Sequence, residues 1–152
     1  PRGPRSPSPG NLPRHHHPIP MTRILLIDDD DAVREVTTEV LRQAGHTVTA
    51  APNAKTGLAH QHTDPHDLII TDINMPDMDG LELIMALRHA TPRPRIIAIS
   101  GGYMLSESLF LPLAQRLGVQ RALAKPFRAE ALLQAVDAVL AAPAPPTVVA
   151  AT

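Results

Sequence analysis

The fold is indicated most clearly by one stretch, RILLIDDDD at residues 23–31, which joins a short apolar run to four consecutive carboxylates. A continuous β-branched run of this length predicts a strand that is covered on both faces, as in parallel sheets. Asp30 or Asp31 can cap a following helix, and Gly45 can end it. The stretch therefore predicts a strand, a polar turn and a helix, which is the repeating unit of an α/β protein.

The same pattern recurs along the chain. The predicted strands are residues 23–27, 47–51, 68–71, 95–100 and 120–124, and the predicted helices are about 31–44, 53–60, 81–89, 106–117 and 129–140. On the first helix, the apolar stripe is expected to consist of Val33, Val36, Val40, Leu41 and Ala44. Five strands that each precede a helix imply right-handed crossovers, so we expect an α/β fold with a five-stranded parallel sheet in a three-layer sandwich.

Composition excludes several classes of protein. The 152 residues contain no Cys and only three aromatic side chains, Tyr103, Phe110 and Phe127. Disulfide frameworks, thiolate zinc sites and thiol nucleophiles are excluded, nothing favours secretion, and aromatic stacking of single-stranded nucleic acid is disfavoured. The apolar runs are too short to span a membrane. We therefore expect a cytoplasmic protein with neither nucleic acid nor membrane as its partner.

Charge and proline are distributed unevenly. The net charge is -1, but residues 1–22 hold three arginines and no acid, so the remainder is acidic, which disfavours a duplex-binding surface. Seven of the 17 prolines lie in the first 20 residues. We expect a disordered Pro/Arg-rich leader at residues 1–20, one domain at 21–142 and a disordered tail at 143–152.

Polar side chains end or follow four of the predicted strands. Asp28 and Asp29 follow the first strand, Asp72 follows the third, Ser100 is the last residue of the fourth, and Lys125 follows the fifth. The carboxyl ends of parallel strands form the ligand-binding edge of such sheets. Carboxylates about 4 Å apart repel by roughly 4 kcal/mol at an effective dielectric near 20, so the cluster must raise a pKa or recruit a cation. An all-oxygen site favours Mg²⁺.

The same residue types suit phosphoryl chemistry. Lys125 can neutralise a phosphoryl oxygen, Ser100 can donate a hydrogen bond to another, and an Asp carboxylate is the plausible nucleophile, forming an acyl phosphate. A simpler explanation exists for each residue alone, because an Asp after a strand is more often a turn or cap residue. Suitable residues stand at the ends of four strands, so turn or cap roles do not easily explain all of them together.

Together these motifs resemble a known family. Asp28-Asp29 after Ile27, the segment DINMPDMDG at residues 72–80, Ser100 and the tripeptide KPF at residues 125–127 resemble the receiver domain of two-component response regulators. The resemblance covers about residues 22–141 and includes the stand-alone chemotaxis regulators. It implies a flavodoxin-like sheet in the order 2-1-3-4-5 and a cis peptide bond between Lys125 and Pro126.

The resemblance also implies a role for each site residue. Asp72 would be the phosphoacceptor, with Ser100 and Lys125 contacting the phosphoryl group. Mg²⁺ would be held by Asp28, Asp29, Asp72 and the backbone carbonyl of Asn74. The donor would be a phosphohistidine on a histidine kinase or a histidine phosphotransfer protein, and the only chemistry would be self-phosphotransfer and autodephosphorylation.

The sequence does not determine how a signal would be passed on from this domain. About ten residues follow Ala142, too few for a DNA-binding domain, so we expect signalling through protein contacts; a receiver cut from a hybrid kinase is equally compatible. Ala122 stands where the family's switch usually carries an aromatic side chain, and Tyr103 is a candidate substitute. Two alternatives remain. The motif Asp28-x-Asp30 resembles the opening motif of haloacid-dehalogenase-like phosphatases, in which case Asp28 would be the nucleophile. The second alternative is an interaction module that is never phosphorylated.

Overall fold

The structure, a computed structural model, describes residues 22–73, 75, 78, 80–90, 92–101, 116–143 and 145. The expected leader, most of the expected tail, Asn74 and Tyr103 lie outside these residues. So does most of the helix predicted over 106–117, of which residues 116–117 are described and are helical. Gly118 follows them with a φ of +90°, in agreement with the helix end predicted there.

Five parallel strands form a single sheet. They are β1 (Arg23–Ile27), β2 (Thr47–Ala51), β3 (Leu68–Asp72), β4 (Arg95–Gly101) and β5 (Arg121–Lys125). Their order across the sheet is β2-β1-β3-β4-β5, and every neighbouring pair is parallel. The α/β class and the 2-1-3-4-5 order are thus confirmed.

Four helices have described bounds. They are α1 (Asp31–Gln43), α2 (Ala54–Thr63), α3 (Gly80–Arg88) and α4 (Ala129–Ala141). The side chain of Asp30 caps α1 by accepting a hydrogen bond from the backbone N–H of Val33, and Asn53 caps α2 in the same way from Thr56. Among the described residues, no helix has both the length and the apolar character needed to cross a membrane.

The sheet carries a hydrophobic core on each face. Side chains alternate along β1, so that Leu25 and Ile27 pack towards α2 and α3, whereas Ile24 and Leu26 pack towards α1 and α4. All four of these β1 side chains are fully buried. The result is the expected flavodoxin-like three-layer sandwich, whose central strands present their carboxyl ends at one edge.

The buried face of α1 differs from the predicted stripe. Its buried residues are Thr37, Thr38 and Leu41, whereas Val36 is 65% exposed and Ala44 is exposed. The hydroxyl of Thr38 donates to the backbone carbonyl of Arg34 at 2.7 Å, so this polar side chain is buried without an unpaired donor. The predicted stripe is therefore right for Leu41 and Val40, which pack against the core, and wrong for Val36 and Ala44, which are exposed.

Candidate functional site

Three strands deliver charged side chains to one edge of the sheet. Asp28 immediately follows β1, and its N–H extends the strand pairing by donating to the carbonyl of Ala51 at 3.2 Å. Asp72 is the last residue of β3, and Lys125 is the last residue of β5. Because the strands are parallel, their carboxyl ends lie together, and the predicted juxtaposition of these three residues is found.

Lys125 bridges the two buried carboxylates. Its Nζ lies 2.9 Å from Oδ2 of Asp28 and 2.8 Å from Oδ2 of Asp72. Asp28 is 1% exposed and Asp72 is 4% exposed, whereas the Lys125 side chain is 20% exposed. One ammonium thus balances part of the charge of two carboxylates that have almost no contact with solvent.

Burial and charge oppose each other in this cluster. Burial, with a smaller contribution from the charge of Asp72, raises the pKa of Asp28, although Lys125 and the N–H of Asp30 act in the opposite direction. Burial lowers the pKa of Lys125, but its contacts with Asp72 and Asp28 outweigh this, so the pKa is raised overall. Lys125 therefore remains a cation at neutral pH.

Asp28 is held in place at three points. Its Oδ1 accepts a hydrogen bond from the N–H of Asp30 at 2.9 Å, and its carbonyl oxygen accepts one from Nη1 of Arg34 at 2.8 Å. Its Oδ2 is within ion-pair distance of Lys125, but it accepts no hydrogen bond from the described residues. This buried oxygen retains coordination capacity.

The residues present fit a divalent cation. Asp28, Asp29 and Asp72 each offer a carboxylate oxygen, and these oxygens lie within 4.8 Å of one another. Asp29 is exposed, and the other two are buried. Three carboxylates exceed the single charge of Lys125, and an all-oxygen set is the kind that Mg²⁺ prefers. The expected contribution from the carbonyl of Asn74 lies outside the described residues.

The end of β4 borders this cluster. Ser100 is half-buried and is the residue after Ile99, which pairs with Asp72 in the sheet. Gly101 pairs with Lys125, and a Cβ at Gly101 would lie 3.2 Å from Cδ of Lys125. The missing side chain leaves room for the Lys125 alkyl chain beside Asp72.

An apolar groove opens next to the cluster. It has a volume of about 470 Å³ and is lined by Ala32, Val33, Val36, Thr37, Lys125, Pro126 and Phe127. The Lys125–Pro126 peptide bond is cis, as the resemblance implied. The groove therefore runs from the exposed side of α1 to the lysine that contacts both buried carboxylates.

Residue 122 occupies the position at which the family usually carries an aromatic side chain. Ala122 lies on β5, is partly buried and packs against the core on the α2 and α3 side. The position at which the family usually carries an aromatic side chain thus holds a small side chain within the sheet.

Arg34 was not identified from the sequence as part of the site. Its i,i+3 spacing from Asp31 on a predicted helix does indicate the ion pair that the structure contains.

The fold and this cluster define a class, the flavodoxin-like α/β proteins with an acidic site at the carboxyl edge of the central strands. The chain belongs to the response regulator receiver domain family, which matches residues 24–137. Receiver domains of this family are signalling modules of two-component systems.

Individual relatives agree with this assignment. The chain is 31% identical over 121 residues to the probable chemotaxis protein CheY of Rhizobium etli, covering 79% of this chain and 93% of that protein. It is 37% identical over 123 residues to the transcriptional regulator NtrC of Azospirillum brasilense, covering 81% of this chain and 25% of NtrC. It likewise spans 24% of the response regulator FleR of Pseudomonas aeruginosa.

A solved structure shows the same fold. The chemotaxis protein CheY4 of Vibrio cholerae superposes with a TM-score of 0.70 at 29% identity, covering 78% of this chain and 98% of CheY4. The chain therefore matches nearly the whole of the chemotaxis proteins but about a quarter of NtrC and FleR.

Proposed function

We propose that this chain accepts a phosphoryl group on Asp72 as the receiver of a two-component phosphorelay. One observation carries the proposal. The Asp72 carboxylate ends the central strand β3, is buried, contacts the ammonium of Lys125 at 2.8 Å and shares a cluster of carboxylate oxygens with Asp28 and Asp29. We further propose that residues 21–142 form the working domain, with 1–20 and 143–152 as flanking segments.

The chemistry follows from the groups present. A carboxylate oxygen of Asp72 attacks the phosphorus of a phosphohistidine, the P–N bond breaks, and the departing imidazole nitrogen takes up a proton. Lys125 moves its ion pair from the Asp72 carboxylate to a phosphoryl oxygen, and Ser100 donates a hydrogen bond to another. When bound by Asp28, Asp29 and Asp72, Mg²⁺ supplies charge neutralisation for the phosphoryl oxygens.

The groove beside Lys125 suits the phosphodonor protein. Val36, Val33 and Ala32 present apolar surface on α1, and Lys125 connects that surface to Asp72. A histidine kinase or a histidine phosphotransfer protein that buries this surface would bring its phosphohistidine to the acceptor. One relative, 32% identical over 116 residues, is named as the CAI-1 autoinducer sensor kinase/phosphatase CqsS of Vibrio cholerae, and this likeness supports a histidine kinase as the donor.

The output would pass through protein contacts. An acyl phosphate carries about -1.5 to -2 charges and replaces the single charge of the Asp72 carboxylate, so this buried edge of the sheet gains roughly one negative charge, which competes for Lys125. Releasing Lys125 from Asp28 and Asp72 gives the phosphorylated state a different set of contacts from the unphosphorylated state. A downstream protein that distinguishes the two sets would read the signal.

Intact-protein mass spectrometry tests the proposal. The protein is incubated with Mg²⁺ and phosphoramidate or acetyl phosphate, in parallel with Asp72→Asn, Asp28→Asn and the control Asp137→Asn, which alters an exposed residue of α4. We expect one phosphoryl addition, lost with Asp72→Asn and retained in the control. Addition that survives Asp72→Asn but disappears with Asp28→Asn would indicate a phosphatase-like nucleophile instead. No addition in any sample would indicate a module that is never phosphorylated.

A further inference from the structure

Arg34 links the start of α1 to the end of β1. Its Nη1 donates to the carbonyl oxygen of Asp28 at 2.8 Å, and its Nη2 pairs with Oδ1 of Asp31 at 2.5 Å. The Arg34 side chain is 20% exposed, whereas that of Asp31 is 88% exposed. The two arms of the planar guanidinium thus tie a backbone carbonyl to the first turn of the helix, a geometry that a lysine cannot reproduce.

The carbonyl of Asp28, which Arg34 contacts, belongs to the peptide unit that joins Asp28 to Asp29. The Asp29 carboxylate is exposed and has no hydrogen bond or ion pair with any described residue. Its direction is therefore determined by the backbone rather than by contacts of its own. The Asp28 side chain, in contrast, is fixed independently through Asp30 and Lys125.

We infer that Arg34 is a positioning residue for the proposed Mg²⁺ site, because it fixes the peptide unit that aims Asp29 at Asp28 and Asp72. This inference rests on the proposed function and adds a residue to it. Groups that orient metal ligands without touching the metal commonly affect affinity strongly. Arg34 is also a cation near the site, and as a charge alone it would repel a metal ion. Positioning and repulsion therefore predict opposite effects when Arg34 is replaced.

Metal binding by variants of the intact chain separates these effects. Free Mn²⁺, which accepts the same oxygen ligands, is counted by electron paramagnetic resonance, and Mg²⁺ is added as a competitor. We expect Arg34→Gln and Arg34→Lys each to weaken Mn²⁺ binding by about tenfold, the low end for loss of a group that orients a ligand. Urea unfolding of each variant establishes that the protein measured is folded.

Arg42→Gln is the matched control. Arg42 also lies on α1 and donates to a backbone carbonyl, that of Val48 at 3.3 Å, but it is eight residues further along the helix. That separation is about 12 Å, beyond the Debye length at physiological salt. We expect its Mn²⁺ affinity to equal that of the unaltered protein.

Each alternative outcome has a distinct meaning. Tighter binding by Arg34→Gln with unchanged binding by Arg34→Lys would show that only the charge matters and would overturn the inference. Lower unfolding free energy with unchanged Mn²⁺ affinity in both variants would also overturn it, because the role would then be structural. If the unaltered protein binds no Mn²⁺ that Mg²⁺ displaces, the proposed metal site is wrong and the inference is wrong with it.

Discussion

At the scale of single residues, the contacts of Lys125 determine the electrostatics of the site. Its Nζ lies within 3 Å of carboxylate oxygens from both Asp28 and Asp72, which are nearly inaccessible to solvent. Removing a partner from a buried pair commonly costs 3–5 kcal/mol, and partial exposure of Lys125 reduces this. We expect Lys125→Met to lower the unfolding free energy by about 2 kcal/mol in metal-free buffer at neutral pH, measured by urea denaturation.

The other lysine of the chain provides the control. Lys55 is exposed on α2, and since contacts of exposed charges contribute roughly 0–1 kcal/mol, Lys55→Met should change the unfolding free energy by less than about 1 kcal/mol. Equal losses in the two variants would contradict the proposed role of Lys125 in neutralising the carboxylates.

His66, which lies outside the acidic cluster, makes the unfolding free energy depend on pH. It is 7% exposed, and its ring nitrogens lie 3.2 Å from Oε1 of Gln61 and 3.0 Å from Oγ1 of Thr49. Burial, assisted by the charge of Arg23, lowers the pKa of His66 from 6.5. The folded protein therefore favours the neutral ring, so this stability is complete above the unfolded pKa and declines as the pH falls below about 6.5.

Comparison with His66→Gln isolates that dependence. We expect the stability advantage of the unaltered protein over His66→Gln to shrink between pH 7.5 and pH 5.5, as measured by urea unfolding in matched buffers. An advantage that is constant or larger at pH 5.5 would show that burial does not disfavour the charged ring.

At the scale of elements, α2 packs against β1 at a glycine. A Cβ on Gly57 would lie 2.7 Å from Cγ1 of Ile27 and closer still to its Cδ1. Alanine in a helix is worth about 1 kcal/mol over glycine, whereas overpacking costs about 1–3 kcal/mol. Because Ile27 is fully buried and cannot move freely, we expect an overpacking cost near the upper end of this range, so Gly57→Ala should lower the unfolding free energy by about 2 kcal/mol.

A double-mutant cycle tests the cause. Ile27→Val removes Cδ1, so Gly57→Ala should cost less than about 1 kcal/mol in that background. Gly45→Ala is the control, since Gly45 has a φ of +96° and open space around its missing Cβ. Its cost of about 1 kcal/mol should not depend on residue 27. Additivity of the Gly57 and Ile27 changes would contradict the packing explanation.

The exposed side of α1 has a predicted role in phosphotransfer. Val36→Glu places a charge in the groove that leads to Lys125. Loss of one buried anchor costs about tenfold or more in complex formation. We expect transfer from a phosphorylated histidine phosphotransfer protein to slow by about tenfold, whereas phosphorylation by phosphoramidate, which needs no docking, keeps its rate.

Met85 on α3 is the matched position, because it is the other large exposed apolar side chain in the described part of the molecule. Met85→Glu should leave both rates unchanged. Equal slowing by the two variants, or slowing of the phosphoramidate reaction in Val36→Glu, would show that α1 does not serve as the docking face.

Elements were predictable from sequence to different extents. The bounds of β1 and β2 were predicted to the residue, and β5 was displaced by one residue, because buried parallel strands read as short apolar runs between polar stops. The Asn53 cap of α2 was also predicted, but the helix extends three residues beyond the expected His60. Hydrophobicity predicted the face of α1 only in part, since Leu41 packs against the core as expected but Thr37 and Thr38 are buried while Val36 is exposed.

At the scale of the whole molecule, topology explains why the site residues could be found at all. Asp28, Asp72 and Lys125 are far apart in sequence, but each is the polar residue at the carboxyl end of a parallel strand. The order of the strands places β1 beside β3 and separates β5 from β3 by β4 alone, so the three carboxyl ends lie at one edge of the sheet. Two contacts could be identified only from the structure, because they depend on side-chain length and on the course of the backbone. They are the contacts of Lys125 with both carboxylates and of Arg34 with the carbonyl of Asp28.

Chemical trapping identifies the residue that carries the phosphoryl group, which we propose to be Asp72. The protein is treated with Mg²⁺ and phosphoramidate, and borohydride then reduces the acyl phosphate to an alcohol, which converts the aspartate to homoserine. Peptide sequencing by mass spectrometry identifies the converted position. We predict homoserine at position 72 and at no other aspartate position, whereas homoserine at position 28 would show that Asp28 is the acceptor instead.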